Sequence, residues 1–141
     1  MKRQIANLLG VLSLLLVAAC ANAQSINVKA NVPFDFTVGK SNLSAGTYNI
    51  QSISTGTGKV LVIRSEDSAN SMLASANSAD ALDPSPNSRL VFHKYGSQYF
   101  LSQIWLEGER VGREFNISRR EAEMAKSVRT SEDVIVLAAL R

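Results

Sequence analysis

Apolar and polar residues alternate with a period of two through much of this chain. From Ser25 to Val32, Ile26, Val28, Ala30 and Val32 fall on one face and Asn27, Lys29 and Asn31 on the other, the pattern of a half-buried strand. Pro33 lacks a backbone donor and marks a strand boundary, an edge or a bulge. Phe34, Phe36 and Val38 then resume the alternation opposite Asp35 and Thr37, and Gly39-Lys40-Ser41-Asn42 forms a turn cluster. Thr47 to Ile53 reads as a third strand, Thr55-Gly56-Thr57-Gly58 as a hairpin loop, and Lys59 to Arg64 as its partner. The continuous apolar run of that partner predicts burial on both faces.

Between residues 65 and 88 the chain turns polar, and Met72, Leu73 and Ala74 are its one short strand signal. The rest reads as a loop, long enough to imply mobility or binding. Ser88 to Leu106 is the clearest hairpin. Gly96-Ser97 supplies the positive φ of a type II′ turn, which sets Lys94 opposite Tyr99, His93 opposite Phe100 and Phe92 opposite Leu101. Strict alternation then puts Leu90, Phe92, Tyr99, Leu101 and Trp105 on one face, and Val91, Tyr95, Phe100, Ile104 and Leu106 on the other. Both faces are apolar, so the hairpin is expected at the centre, covered on both sides. Glu107-Gly108-Glu109 turns into a short strand from Arg110 to Phe115. Ser118-Arg119-Arg120-Glu121 matches a capping box, predicting a helix of about ten residues that ends near Arg129. Arg119 and Arg120 oppose the dipole at its N-terminus. The β-branched run Val134 to Leu137 predicts a final strand. The expected fold is all-β: a single antiparallel β-sandwich or small barrel of about seven to eight strands, with one short C-terminal helix.

Residues 1–23 read as a bacterial signal peptide. Lys2 and Arg3 form a basic n-region, Leu8 to Ala19 an uncharged apolar stretch, and small residues follow. That stretch, about 12 residues, is too short for a membrane-spanning helix. Two cleavage sites compete. Ala21-Asn22-Ala23 fits ordinary signal peptidase and releases Gln24, whereas Val17-Ala18-Ala19-Cys20 resembles a lipobox, in which Cys20 is acylated and becomes the first residue. The expected location is therefore periplasmic, secreted, or lipid-anchored to the outer membrane, with membrane contact only through an acylated Cys20. The chain carries 15 Lys and Arg against 12 Asp and Glu. Loss of Lys2 and Arg3 leaves a net charge of +1, too small for a nucleic-acid footprint. Cys20 is the lone cysteine, so no intramolecular disulfide forms. Residues 24–141 suit one domain with its own core.

Val32-Pro33-Phe34-Asp35-Phe36-Thr37-Val38-Gly39, followed by Leu43-Ser44-Ala45-Gly46-Thr47-Tyr48, resembles the opening of an uncharacterised family of small exported β-proteins of soil bacteria. Ser44 stands where that family usually has Pro. Tyr99 to Trp105 and the helix start at Ser118 share the resemblance, which spans most of the chain beyond the signal. It implies export and a β fold and carries no active site.

His93 is the one histidine. A Ser-His-acid device needs one, with partners brought near by the fold, but no G-x-S-x-G motif is present and His93 lies mid-strand opposite Phe100. One His and one Cys cannot build a four-ligand zinc site, and Asp80 and Asp83 lack EF-hand spacing. Glu107 with Glu109, and Glu66 with Asp67, read as solvated turns rather than glycosidase pairs. Arg110, Arg113, Arg119, Arg120, Lys126 and Arg129 make the C-terminal third basic. They could contact anionic headgroups or polyanionic glycans, but Glu114, Glu121 and Glu123 make a solvated, balanced face the plainer reading. Tyr95, Tyr99 and Trp105 are candidate ligand contacts if a face is open, and core residues otherwise. The Asn42 and Asn116 sequons read as chance. The expected function is an exported, non-enzymatic envelope or extracellular module, binding or structural, without cofactor or metal. The alternatives are a small barrel carrying an apolar ligand and a hydrolase centred on His93.

Overall fold

The computed structural model describes residues 25–53 and 60–141. The signal peptide, Cys20 and the loop read at Thr55 to Gly58 lie outside the described residues. Ten strands and one helix follow in order: β1 Asn27–Val32, β2 Phe36–Val38, β3 Ser41–Leu43, β4 Gly46–Ser52, β5 Val60–Ser65, β6 Ser71–Asp80, β7 Arg89–Tyr95, β8 Gln98–Trp105, β9 Val111–Phe115, α1 Arg119–Ser127 and β10 Glu132–Leu140. Eight strands close a barrel in the order β1-β4-β5-β6-β9-β8-β7-β10, each antiparallel to its neighbours. The choice between sandwich and barrel thus resolves to a barrel with one short helix. β2 and β3 lie outside the ring. β2 runs parallel against β8 at Thr37 and Phe100, and β3 pairs with β2. The end at which β1, β5, β7 and β9 finish is here called the upper end; β2, β3 and α1 lie there.

Several elements differ from the sequence reading. The polar stretch 65–88 contains the ten-residue strand β6, paired with both β5 and β9. Its inward positions include Ala74 and Ala76, too small to give a strong apolar signal, so the alternation is hidden among Ser and Asn. After β6 the chain is pinned to the next turn, because Ser85 donates to the Glu109 carbonyl and accepts from Gly108 N–H, both at 2.8 Å. The Gly39 cluster shrinks to a two-residue turn at Gly39 and Lys40, where Gly39 takes φ +59°. β5 is buried on one face: Leu61 and Ile63 are inside, whereas Val60 and Val62 on the other face are half-buried.

The β7–β8 hairpin has the expected register at its turn, with Lys94 opposite Tyr99, His93 opposite Phe100 and Phe92 opposite Leu101. Gly96 takes φ +61°, and among the described residues no other residue type has positive φ, which fits type II′ rather than type I′. Beyond Leu101 the pairing shifts: Val91 meets Gln103 and Leu90 meets Ile104. An extra residue at Ser102 makes a β-bulge. The strict face assignment fails there. Ile104 joins Leu90, Phe92 and Leu101 in the core, while Trp105 turns outward with Val91, Tyr95 and Phe100. Both faces are nonetheless buried, as the apolar pattern required.

The barrel core is built from Val28, Ala30, Val32, Ile50, Leu61, Ile63, Leu90, Phe92, Leu101 and Ile104. Its upper end is filled by aromatics. Phe34 and Phe36 each meet Phe92 edge-on, Phe36 meets Tyr48, and Phe34 stacks on Tyr99 with centroids 3.8 Å apart. Hydrogen bonds within and around residues 35–48 hold this plug. Asp35 accepts from Ala45 N–H at 2.8 Å, Asp67 accepts from Thr47 N–H at 3.0 Å, and the Tyr48 hydroxyl donates to the Ser44 carbonyl at 2.7 Å. A side chain at Gly46 would come within 2.8 Å of the Asp67 carboxylate.

The ring closes between β8 and β9 through two register pairs, Gln103 with Glu114 and Ile104 with Arg113. At that seam a Cβ on Gly112 would lie 2.7 Å from the Ile104 carbonyl and from the Trp105 ring. Gly112→Ala therefore forces backbone apart. It is expected to destabilise by about 1–3 kcal/mol and to lower Tm by roughly 4–10 °C in thermal unfolding followed by circular dichroism. An unchanged Tm would show that the seam yields freely.

Candidate functional site

The outer face of the hairpin carries the most organised polar group of the molecule. Ser118 caps α1, its hydroxyl accepting from Glu121 N–H at 3.1 Å. That is half of the capping box. The Glu121 carboxylate turns instead to the barrel wall, 2.7 Å from His93 Nδ1, and is 5% exposed. His93 Nε2 lies 3.0 Å from Ser102 Oγ and 3.9 Å from an Asp133 carboxylate oxygen. With Nδ1–H donating to Glu121, Nε2 is free to accept from the Ser102 hydroxyl. Burial pushes the neighbouring Tyr95 phenol above its ordinary pKa, and the negative charges of Glu121 and Asp133 add to the effect.

Glu121, His93 and Ser102 thus stand in the hydrogen-bonded line that activates serine nucleophiles. Two observations favour a structural task. Ser102 is 4% exposed, and Glu121 is the one buried residue of α1. A nine-residue helix does not hold itself in water, so it needs anchors on the barrel, and the Glu121–His93 pair is one of them. Ser102 lies two residues beyond Phe100, the register partner of His93, so the period of two already puts it on the face of His93.

Two adjoining clefts open at the upper end. One, of about 320 Å³, is lined by residues that include Asp35, Asn42, Ser44, Gln98, Tyr99 and Arg120. Arg120 spans it, donating to Asn42 Oδ1 at 3.0 Å and Gln98 Oε1 at 3.1 Å. The other, of about 570 Å³, lies between the β2–β3 turn and the start of α1 and gathers Lys40, Arg119, Arg120, Ile117, Ser118 and Glu123. Arg119 pairs with Glu123 at 3.3 Å, and Ile117 is well exposed. Arg119 and Arg120 thus lie at the helix N-terminus as the sequence implied, with Lys40 of the β2–β3 turn on the same cleft.

The three aromatic candidates are not brought together. Tyr95 is buried on the outer wall. Trp105 is buried against Gly112, its indole N–H bonded to Gln103 at 2.9 Å. Tyr99 alone borders a cleft. The basic run does not form one solvated face either, since Arg113 and Glu121 are both buried. Among the described residues no three His, Cys, Asp or Glu side chains group as a metal site, and no helix is long and apolar enough to cross a membrane.

If the Glu121–His93 bond seats α1, removing His93 strands a buried carboxylate. His93→Ala is expected to cost about 3 kcal/mol and Glu121→Gln about 1–2 kcal/mol in urea unfolding. The double variant should fall short of their sum by more than about 1 kcal/mol. Additive effects would mean that the bond contributes little. In comparisons with protein-family models, curated proteins and solved structures, no match to the chain was found, so the functional reading rests on the geometry described above.

Proposed function

We propose that the protein is an exported, non-enzymatic β-barrel module that binds an acidic polymer of the envelope or extracellular space at its upper end. The carrying observation is the convergence of Lys40, Arg119 and Arg120 on one cleft with Glu123 as the acid lining it. Cations gathered at the positive end of a helix repel one another and the dipole, and an anionic partner relieves both. The signal-like N-terminus and the resemblance to small exported β-proteins support export, and Cys20 supplies a lipid tether where it is acylated. The aromatic plug supports recognition on the outside of this end rather than within it.

A second reading, a hydrolase centred on His93, is favoured by the Glu121–His93–Ser102 line alone. Neither of the two clefts described at the upper end is lined by those residues.

The full-length gene, expressed in a bacterial host, should yield an envelope or medium product whose intact mass begins at Gln24 or at acylated Cys20. That product should be retained on immobilised polygalacturonate and not on dextran, with retention falling as salt rises. Lys40→Gln with Arg119→Gln should weaken it about tenfold, in line with two screened charges. Equal retention on both polymers, or an uncleaved cytoplasmic product, would overturn the proposal. A fluorophosphonate probe should leave the mass unchanged. An adduct on Ser102 that disappears in His93→Ala would put the hydrolase in its place.

A further inference from the structure

Two charged side chains are buried among the described residues, Glu121 and Arg113. Glu121 has His93. Arg113 has no comparable partner. Gly112 faces outward against Trp105 and Phe115 belongs to the core, so Arg113 points into the barrel. Its register partners agree: Ile104 on β8 is a fully buried core residue, and Ser78 faces it from β6. Arg113 is 9% exposed. One terminal nitrogen donates to the neighbouring Gly112 carbonyl at 3.1 Å, and the buried Nε meets no acceptor. Among the described residues no carboxylate lies within ion-pair distance of it.

An unpaired buried guanidinium is a large charge against the net stability of a small domain. An anion seated on it would remove that charge, and a carboxylate matches the planar donor fork best. The wall beside Arg113 opens to solvent. Ser78 and Asp80 share Arg113's face of the sheet by register, opposite Arg113 and Val111, and both are exposed. The inner wall therefore meets solvent one register step below Arg113, at the end remote from the aromatic plug. Above it the wall is apolar, with Ala76 and Phe115 buried.

We propose that Arg113 anchors an interior site for a carboxylate, entered past Ser78 and Asp80 at the lower end. The site is independent of the surface cleft. Asp80 is the nearest acid by register and opposes an incoming anion, so it limits affinity.

The test is the thermal midpoint of the processed domain, titrated with acetate and with octanoate against sodium chloride of matched ionic strength. A bound carboxylate raises Tm by mass action. The wild-type midpoint should rise with at least one of the two. A response to octanoate alone identifies an apolar tail on the ligand, and a response to both identifies a bare carboxylate. Arg113→Met keeps the volume and removes the charge. It should be at least as stable without ligand and weaken the apparent Kd at least tenfold, and Arg113→Lys should weaken it for want of the fork. Asp80→Asn should tighten it. Lys40→Gln with Arg119→Gln should leave it unchanged. No rise in the wild type with either carboxylate, an undiminished response in Arg113→Met or Arg113→Lys, or a loss caused by the surface-cleft variant would overturn the site.

Discussion

The architecture depends on how β8 shares its edges. One side of the strand pairs with β7 throughout. The other must meet β9 to shut the ring, yet β9 reaches it through Gln103 and Ile104 alone, and β2 takes the edge farther up at Phe100. The bulge at Ser102 lies between these two regions. It keeps Leu101 and Ile104 both inside and turns Ser102 and Gln103 both outward. Without it, a period of two would expel Ile104 from the core at the closing seam. The exposed edge that an open sheet would leave is thus removed by closure below the bulge and by β2 above it. Gly112 completes the arrangement by leaving room for the Ile104 carbonyl and the Trp105 ring.

Closure also generates the polar chemistry of the outer wall. Ser102, beside the bulge, meets His93, whose other nitrogen meets Glu121 of α1. The helix in turn carries Arg119 and Arg120 to the upper clefts, and Arg120 ties α1 to β3 and to the start of β8 through Asn42 and Gln98. A chain of short contacts therefore runs from the seam of the barrel to the surface proposed to bind. The hydrogen bonds of Ser102, His93 and Glu121 let a carboxylate be buried on the wall of the barrel.

How much of this could be read from the sequence follows from what each residue reports. The hairpin register was legible because Gly96 fixes the turn and large apolar residues mark both partners. The closed barrel was legible only as one of two options, since strand count and alternation are shared with a sandwich. The bulge left no mark, because Ser102-Gln103 has no glycine or proline. β6 was hidden beyond Leu73 because its inward Ala74 and Ala76 are small and the Ser75 and Asn77 between and beside them polar, the composition of a loop. The helix cap was legible from Ser118 and Glu121, but not the destination of the Glu121 carboxylate, which lies 28 residues away at His93. Arg113 read as surface because charge is ordinarily solvated, and only register shows that it faces inward.

The two ends of the barrel are built on opposite principles, and this narrows where a ligand can act. At the upper end Phe34, Phe36, Tyr48, Phe92 and Tyr99 pack against one another, and Asp35 and Asp67 hold the backbone that supplies three of them, Phe34, Phe36 and Tyr48. Burial raises the Tyr48 phenol, and those same two carboxylates raise it further, so the hydroxyl stays protonated and keeps its bond to Ser44. Residues 34–48 thus keep one end shut, which leaves the outer clefts as the accessible surface there. At the lower end the inner wall changes from apolar to polar within one strand, from Ala76 to Ser78 to Asp80, and the cation beside that change is unpaired. A core built for stability alone would place an aliphatic residue at position 113. The proposed anion would offset the charge of Arg113, and with the plug at the upper end its way in is from below.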